Sequence, residues 1–154
     1  MSLAVGDDTY IDLATADAYF AGRLHGAAWI AASNTDREKA LRMATSLLDG
    51  LDYKGERSSS FQPLAWPRRY VIDNERRGVA ADLIPPSIQS ATAEWAMHLL
   101  AHDPAQSSPI VTRKQVGDLQ VDFAPATPDL LPIMVRRNVS PYLCGSANTA
   151  QIIP

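Results

Sequence analysis

A single cysteine, Cys144, in 154 residues leaves no intrachain disulfide to form and no multi-cysteine zinc knuckle to build. A reducing compartment is compatible with that. Long apolar runs are missing too: no stretch of 18 such residues occurs, so no membrane-spanning helix is expected. The first residues lack a basic segment followed by an apolar one, so no secretion signal is expected. Excess positive charge is absent, with a formal net charge of -3, which excludes a polycation that coats nucleic acid by charge alone. The eight glycines are scattered, so no phosphate-binding loop forms, and no G-x-S-x-G elbow is present. Cys144, in "YLCG", has no activating neighbour and is read as a small buried apolar residue near a helix end. Asp7 and Asp8 face no partner acid. No catalytic residue and no cofactor follow from these patterns.

What is present describes one domain spanning 1–154, with 46% hydrophobic and 20% charged residues. All eleven prolines follow Gln62, so the second half is expected to break into short elements. Thr15 can cap a short helix running to about Leu24, with Ala16, Tyr19, Phe20 and Leu24 inward. "AAWIAAS" (27–33) adds a helical turn with Trp29. Thr35 and Glu38 read as a capping box opening a helix over 36–51. In that helix Ala40, Leu41, Ala44, Leu47, Leu48 and Leu51 lie inward, and Arg37, Arg42 and Asp49 lie on the other side. Pro85-Pro86 starts another helix, ended by Asp103-Pro104, with a stripe of Ile88, Ala91, Thr92, Trp95, Ala96 and Leu99. Over 110–124 the period changes to two, and Val116-Gly117-Asp118-Leu119 reads as a hairpin turn with Val111 and Val121 inward. Residues 129–145 read as a short helix with Leu131, Met134 and Val135 inward, interrupted at Pro141. The fold class expected is mainly α: a small bundle of four to five helices, one β-hairpin near 110–124, and a tail at 146–154.

Two constellations carry ligand-capable side chains. Glu94, His98 and His102 recur at four-residue spacing on one helix face, where a zinc site could be built. The HExxH pattern is missing, and these positions oppose the apolar stripe, so they read as a solvated face with no metal. The second is "SSSFQPLAWPRRYVIDNERRG" (58–78). Arg68, Arg69, Tyr70, Arg76 and Arg77 could hold phosphates or a partner while rings stack on bases. Against this, Phe61, Leu64, Trp66 and Pro67 read as a lid closing the helical core, with the arginines reaching solvent.

Taken in order, "TADAYFAGR" (15–23), Trp29, "REKALRMATSLLD" (37–49), Tyr53-Lys54-Gly55, Gln62, "LAWPR" (64–68), "IPPSIQSATAEWA" (84–96), "VGDLQVDFA" (116–124) and "SPYLCG" (140–145) resemble a family of tailed-phage proteins. These are the head-completion, or head–tail connector, proteins. The resemblance covers about Tyr10 to Leu143; "RRYVIDNERRGVAADL" after "LAWP" is longer than the simple pattern. It implies a helical, non-catalytic adaptor subunit of the virion neck, assembled in the bacterial host cytoplasm. Such a subunit would form a ring around the DNA channel and contact itself, the portal protein and the next tail component, with non-specific DNA contact and no membrane. The 52–84 connection, the 110–124 hairpin and the chain after Leu143 would then be the interacting parts. Relatives of this type also carry the label DnaT-like single-stranded-DNA-binding protein, which implies the alternative of a replication protein.

Overall fold

A computed structural model describes residues 3–103, 113–116, 119–122 and 131–145. The order of elements is α1 (Leu13–Ala21), α2 (Ala27–Ala31), α3 (Asn34–Asp49), β1 (Glu56–Arg57), β2 (Arg68–Arg69), α4 (Pro86–Ala101), β3 (Arg113–Val116), β4 (Leu119–Asp122) and α5 (Ile133–Val139). A 3₁₀ turn over Ser140–Tyr142 follows, where Pro141 ends the α-helical run. The fold is mainly α with a small β-hairpin. No helix among the described residues is long and apolar enough to cross a membrane.

The middle of the bundle is α4. Ala91, Thr92, Ala93, Glu94, Trp95 and Ala96 are buried in unbroken succession, because α1, α2, α3 and α5 all pack around this helix. Three alanines in that run let the neighbours approach closely, and Thr92 returns its hydroxyl to the Ile88 carbonyl at 2.9 Å. From α3 come Ala40, Leu41, Ala44 and Leu48, and from α5 Val135 and Val139. Burying each of the larger aliphatic side chains contributes about 1.5–3 kcal/mol.

Several end positions differ from the sequence expectation. The first helix is capped by Asp12, whose carboxylate accepts the Thr15 N–H at 2.6 Å, and it stops at Ala21, leaving Leu24 81% exposed. Ser33, not Thr35, caps α3, accepting the Asp36 N–H at 3.2 Å and donating to the Asp36 carboxylate at 2.8 Å. Both corrections share a cause: the true cap lies two or three residues upstream, where the backbone is still extended. Leu47 and Met134 lie at the surface. Cys144 is exposed and lies outside any helix, its N–H donating to the Asp52 carbonyl at 2.8 Å.

Arg37 and Asp49, expected on the polar side of α3, are structural instead. The Arg37 guanidinium stacks on Trp29 at 5.6 Å and donates to the carbonyls of Trp29 and Ile30 at 2.9 and 3.0 Å, closing the end of α2. Trp29 in turn stacks on Phe20 and donates to Asp17. Asp49 accepts from the Tyr10 hydroxyl and from the Ala65 N–H at 2.6 Å, tying the N-terminal segment and the 58–67 loop to one helix end. Burial, and then the Asp49 contact, push the Tyr10 hydroxyl well above its usual range.

Candidate nucleic-acid interface

The segment between α3 and α4 divides at Trp66. Leu64, Ala65 and Trp66 are buried, and Trp66 meets Tyr53 and Tyr142 edge-on at 5.5 and 5.3 Å. This much of the expected lid exists, with Pro67 half-buried behind it after a cis Trp66–Pro67 bond. Phe61 is not part of it: its ring is 95% exposed. The reason is local. Gln62 donates to the carbonyls of Leu64 and Pro67 at 2.8 and 2.9 Å and accepts the Ser59 N–H at 2.9 Å, which fixes the loop with Phe61 outward.

Downstream of the lid, β2 pairs antiparallel with β1 in the register Glu56↔Arg69 and Arg57↔Arg68. Side chains alternate across a strand, so the two consecutive arginines part company. Arg68 turns inward, donating to the carbonyls of Tyr53, Lys54, Gly55 and Ala65 at 2.8–3.3 Å and lying over the Tyr53 ring. It binds the ribbon to the body, a correction to its expected place among the surface contacts. Arg69 turns outward, pairing with Glu56 at 2.8 Å and stacking over Tyr70 at 5.4 Å. Tyr70 is 76% exposed and sits at a φ of 61°, as does Arg76 at 62°. Left-handed backbone at non-glycine residues is uncommon and gathers at functional sites.

The ribbon needs Gly55. At its φ of +69° a Cβ would stand 2.3 Å from the Arg69 carbonyl oxygen and 2.9 Å from Val71 Cγ2. Gly55→Ala is therefore expected to cost at least about 1–3 kcal/mol, read from the urea midpoint. A change below about 0.5 kcal/mol, the level of an ordinary surface substitution, would contradict this.

Beyond Val71, which is buried, the chain makes a loop closed by Val79 N–H on the Val71 carbonyl at 2.9 Å. Asp73 organises it, accepting the N–H groups of Glu75 and Arg77 at 2.9 Å each and the Arg77 Nε–H at 3.1 Å. Those bonds, the Arg77 N–H first, hold the Asp73 carboxyl below its usual range. The support is present at neutral pH and is lost as pH falls through that depressed value. Arg77 also pairs with Glu75 at 2.9 Å, whereas the Arg76 guanidinium carries no hydrogen bond or ion pair among the described residues. Between 56 and 77 there are five arginines against three carboxylates, a local excess of positive charge in a chain of net charge -3.

At the outer side of the ribbon lies a cavity of about 510 Å³ between β1, the serine run 58–60, Phe61 and Arg69. Sequence reading missed this cradle, although three successive serines were a surface-loop signal.

The Glu94, His98 and His102 set is not assembled as ligands. Glu94 is 3% exposed and turned inward, bound by Arg23 through Nε and at 2.9 Å through the second guanidinium nitrogen, and by the Tyr19 hydroxyl at 2.6 Å. His98 and His102 stack on each other at 4.7 Å beside a groove of about 430 Å³ between α4, α5 and the α1–α2 corner. Partial burial, and then the His102 charge, lower the His98 pKa. Among the described residues no group of three or more His, Cys, Asp or Glu is arranged to hold a metal ion. Val111, Gly117, Asp118 and the 146–154 tail lie outside the described residues. The strands themselves pair Val116 with Leu119, as the turn position required.

A family model described as "Putative DnaT-like ssDNA binding protein" matches residues 2–152. No curated protein and no solved structure matches the chain.

Proposed function

Because the chain belongs to this DnaT-like family, we propose that it is a single-stranded-DNA-binding module that acts in the bacterial cytoplasm by binding alone, without catalysis. The observation that carries the reading is the exposed Tyr70 ring with Arg69 stacked over it, followed in the chain by the loop that carries Arg76 and Arg77. A ring on an outward ribbon offers a stacking surface to unpaired bases of any sequence, and guanidinium groups hold the backbone phosphates. Arg68 serves the site from behind, since it anchors the ribbon that presents Arg69.

Titration of a fluorescent oligo-dT by the purified chain tests this. Binding is expected to weaken with salt at a log–log slope of about -0.7 per phosphate contacted, and Arg76→Ala should reduce that slope by about one contact. Tyr70→Ala should cost about 1–3 kcal/mol of binding. No binding at low salt would overturn the proposal.

A second reading is favoured by one observation. Leu24, Ile30 and Ile133 are exposed large apolar side chains on the α1–α2 corner and the first turn of α5. Such surface suits a partner or a second copy, as a head–tail adaptor ring would require through a heterologous interface. Light scattering in the same experiment separates the two: assembly on a portal protein without oligonucleotide binding selects the adaptor.

A further inference from the structure

The Phe61 cradle holds the parts of a one-nucleotide seat. Its lining includes Arg69, Ser59 and Ser60, whereas Arg57, on the strand face it shares with Arg68, reaches Asp49 at 3.9 Å. Ser59 Oγ accepts the Phe61 N–H at 3.2 Å, so its own proton stays available to donate. Arg69 spends only Nε–H on Glu56, and the rest of its guanidinium fork makes no hydrogen bond among the described residues. Arg69 also belongs to both halves of the surface, lining the cradle on one side and stacking on Tyr70 on the other. Phe61 lines the cradle too, nearly bare to solvent on a backbone that the Gln62 and Ser59 bonds hold. A ring presented outward from a fixed backbone is open to stacking by a base.

Glu56 gives this cradle a further property. Its carboxylate sits on Arg69 where a phosphate oxygen would sit, in an exposed pair. Pairs of that kind contribute little, so an incoming phosphate with several oxygens can displace it. We propose that the cradle seats one backbone phosphate of a single strand on Arg69 and the Ser59–Ser60 hydroxyls. The adjoining base stacks on Phe61, and Glu56 is the internal anion that the phosphate displaces. This rests on the single-stranded-DNA reading and adds to it a second stacking point and a built-in competitor.

The test is oligo-dT titration of the wild type, Phe61→Ala, Glu56→Gln and a remote control, Glu38→Gln. Glu38 lies on α3, eleven residues and about 16 Å along the helix from Asp49, the end that holds the lid. Phe61→Ala is expected to weaken binding about 5- to 150-fold with the fold intact by circular dichroism. Glu56→Gln is expected to tighten it about 2- to 5-fold and to steepen the salt slope by about 0.7, while Glu38→Gln, with the same change in net charge, does neither. An abasic strand of equal phosphate count should lose the dependence on Phe61, and inorganic phosphate should compete only weakly, because it brings no base. Wild-type binding with either cradle variant matching the wild type overturns the seat and leaves the Tyr70 surface standing. A wild type that binds no strand at low salt overturns both.

Discussion

Trp66→Ala is expected to cost about 3–5 kcal/mol, measured as a shift of the urea unfolding midpoint at constant slope. The indole is fully buried, and it is where three otherwise separate chain segments meet. Tyr53 stands on one edge, and Tyr142, from the turn after α5, stands on another. Two of these segments are also sewn together by Lys54 N–H on the Tyr142 carbonyl at 2.8 Å and Lys54 Nζ on the Pro141 carbonyl at 2.9 Å. Truncation leaves a cavity lined by two rigid rings, which collapses poorly. Trp66→Phe keeps a ring, gives up an Nε1–H that has no hydrogen-bond partner among the described residues and leaves a smaller cavity, so about 1–2 kcal/mol is expected for it. A Trp66→Ala cost below about 1 kcal/mol would mean that the lid does not close the core. The alanine variant also separates two roles. It should lose strand binding together with ribbon order, because β2 begins two residues after Trp66, whereas Phe61→Ala should lose binding alone.

That contrast marks where the sequence stops being legible. Phe61 and Trp66 look alike in a hydrophobicity pattern, yet one is the most buried aromatic of the loop and the other the barest. Residue type sets an average tendency to be buried, and here the decision lies in three hydrogen bonds made by Gln62, which have no period to read. The long helices were legible because α3 and α4 keep a repeating apolar side over 16 residues each. The hairpin was legible from its turn and its period of two. The ribbon was not, since two residues per strand are too few to show alternation, and Arg68 and Arg69 therefore read as one patch. Family membership, in turn, rests on the model match over residues 2–152; the order of weak motifs along the chain pointed first to head–tail connector proteins and held the DnaT-like label as the alternative.

Glu94 shows the same limit with a larger energy attached. On α4 it falls at a position that reads as solvated, but its partner Arg23 lies 71 residues away in sequence, beyond any local pattern. Arg23→Ala is expected to destabilise the protein by about 3 kcal/mol, because it leaves a carboxylate in the core with, among the described residues, only the Tyr19 hydroxyl as partner. The lower part of the usual range applies, since the adjoining groove lets water approach. Glu94→Gln should cost less, as Arg23 is about a quarter exposed and can turn to solvent, and the amide oxygen still accepts from Tyr19. Burial and the bond to Glu94 also push Tyr19 up to about 12. A raised phenol contributes stability that is complete below its unfolded value near 10 and lost as pH climbs through the folded one, so this contact is at full strength at neutral pH and its pH dependence is an alkaline limb. The sharper measurement is the double variant at neutral pH. Arg23→Ala with Glu94→Gln should recover most of what Arg23→Ala alone loses, because the penalty belongs to the stranded charge rather than to the missing guanidinium. Simple additivity of the two single changes would show instead that Glu94 stays hydrated through the groove, and that the pair does not hold α1 to α4.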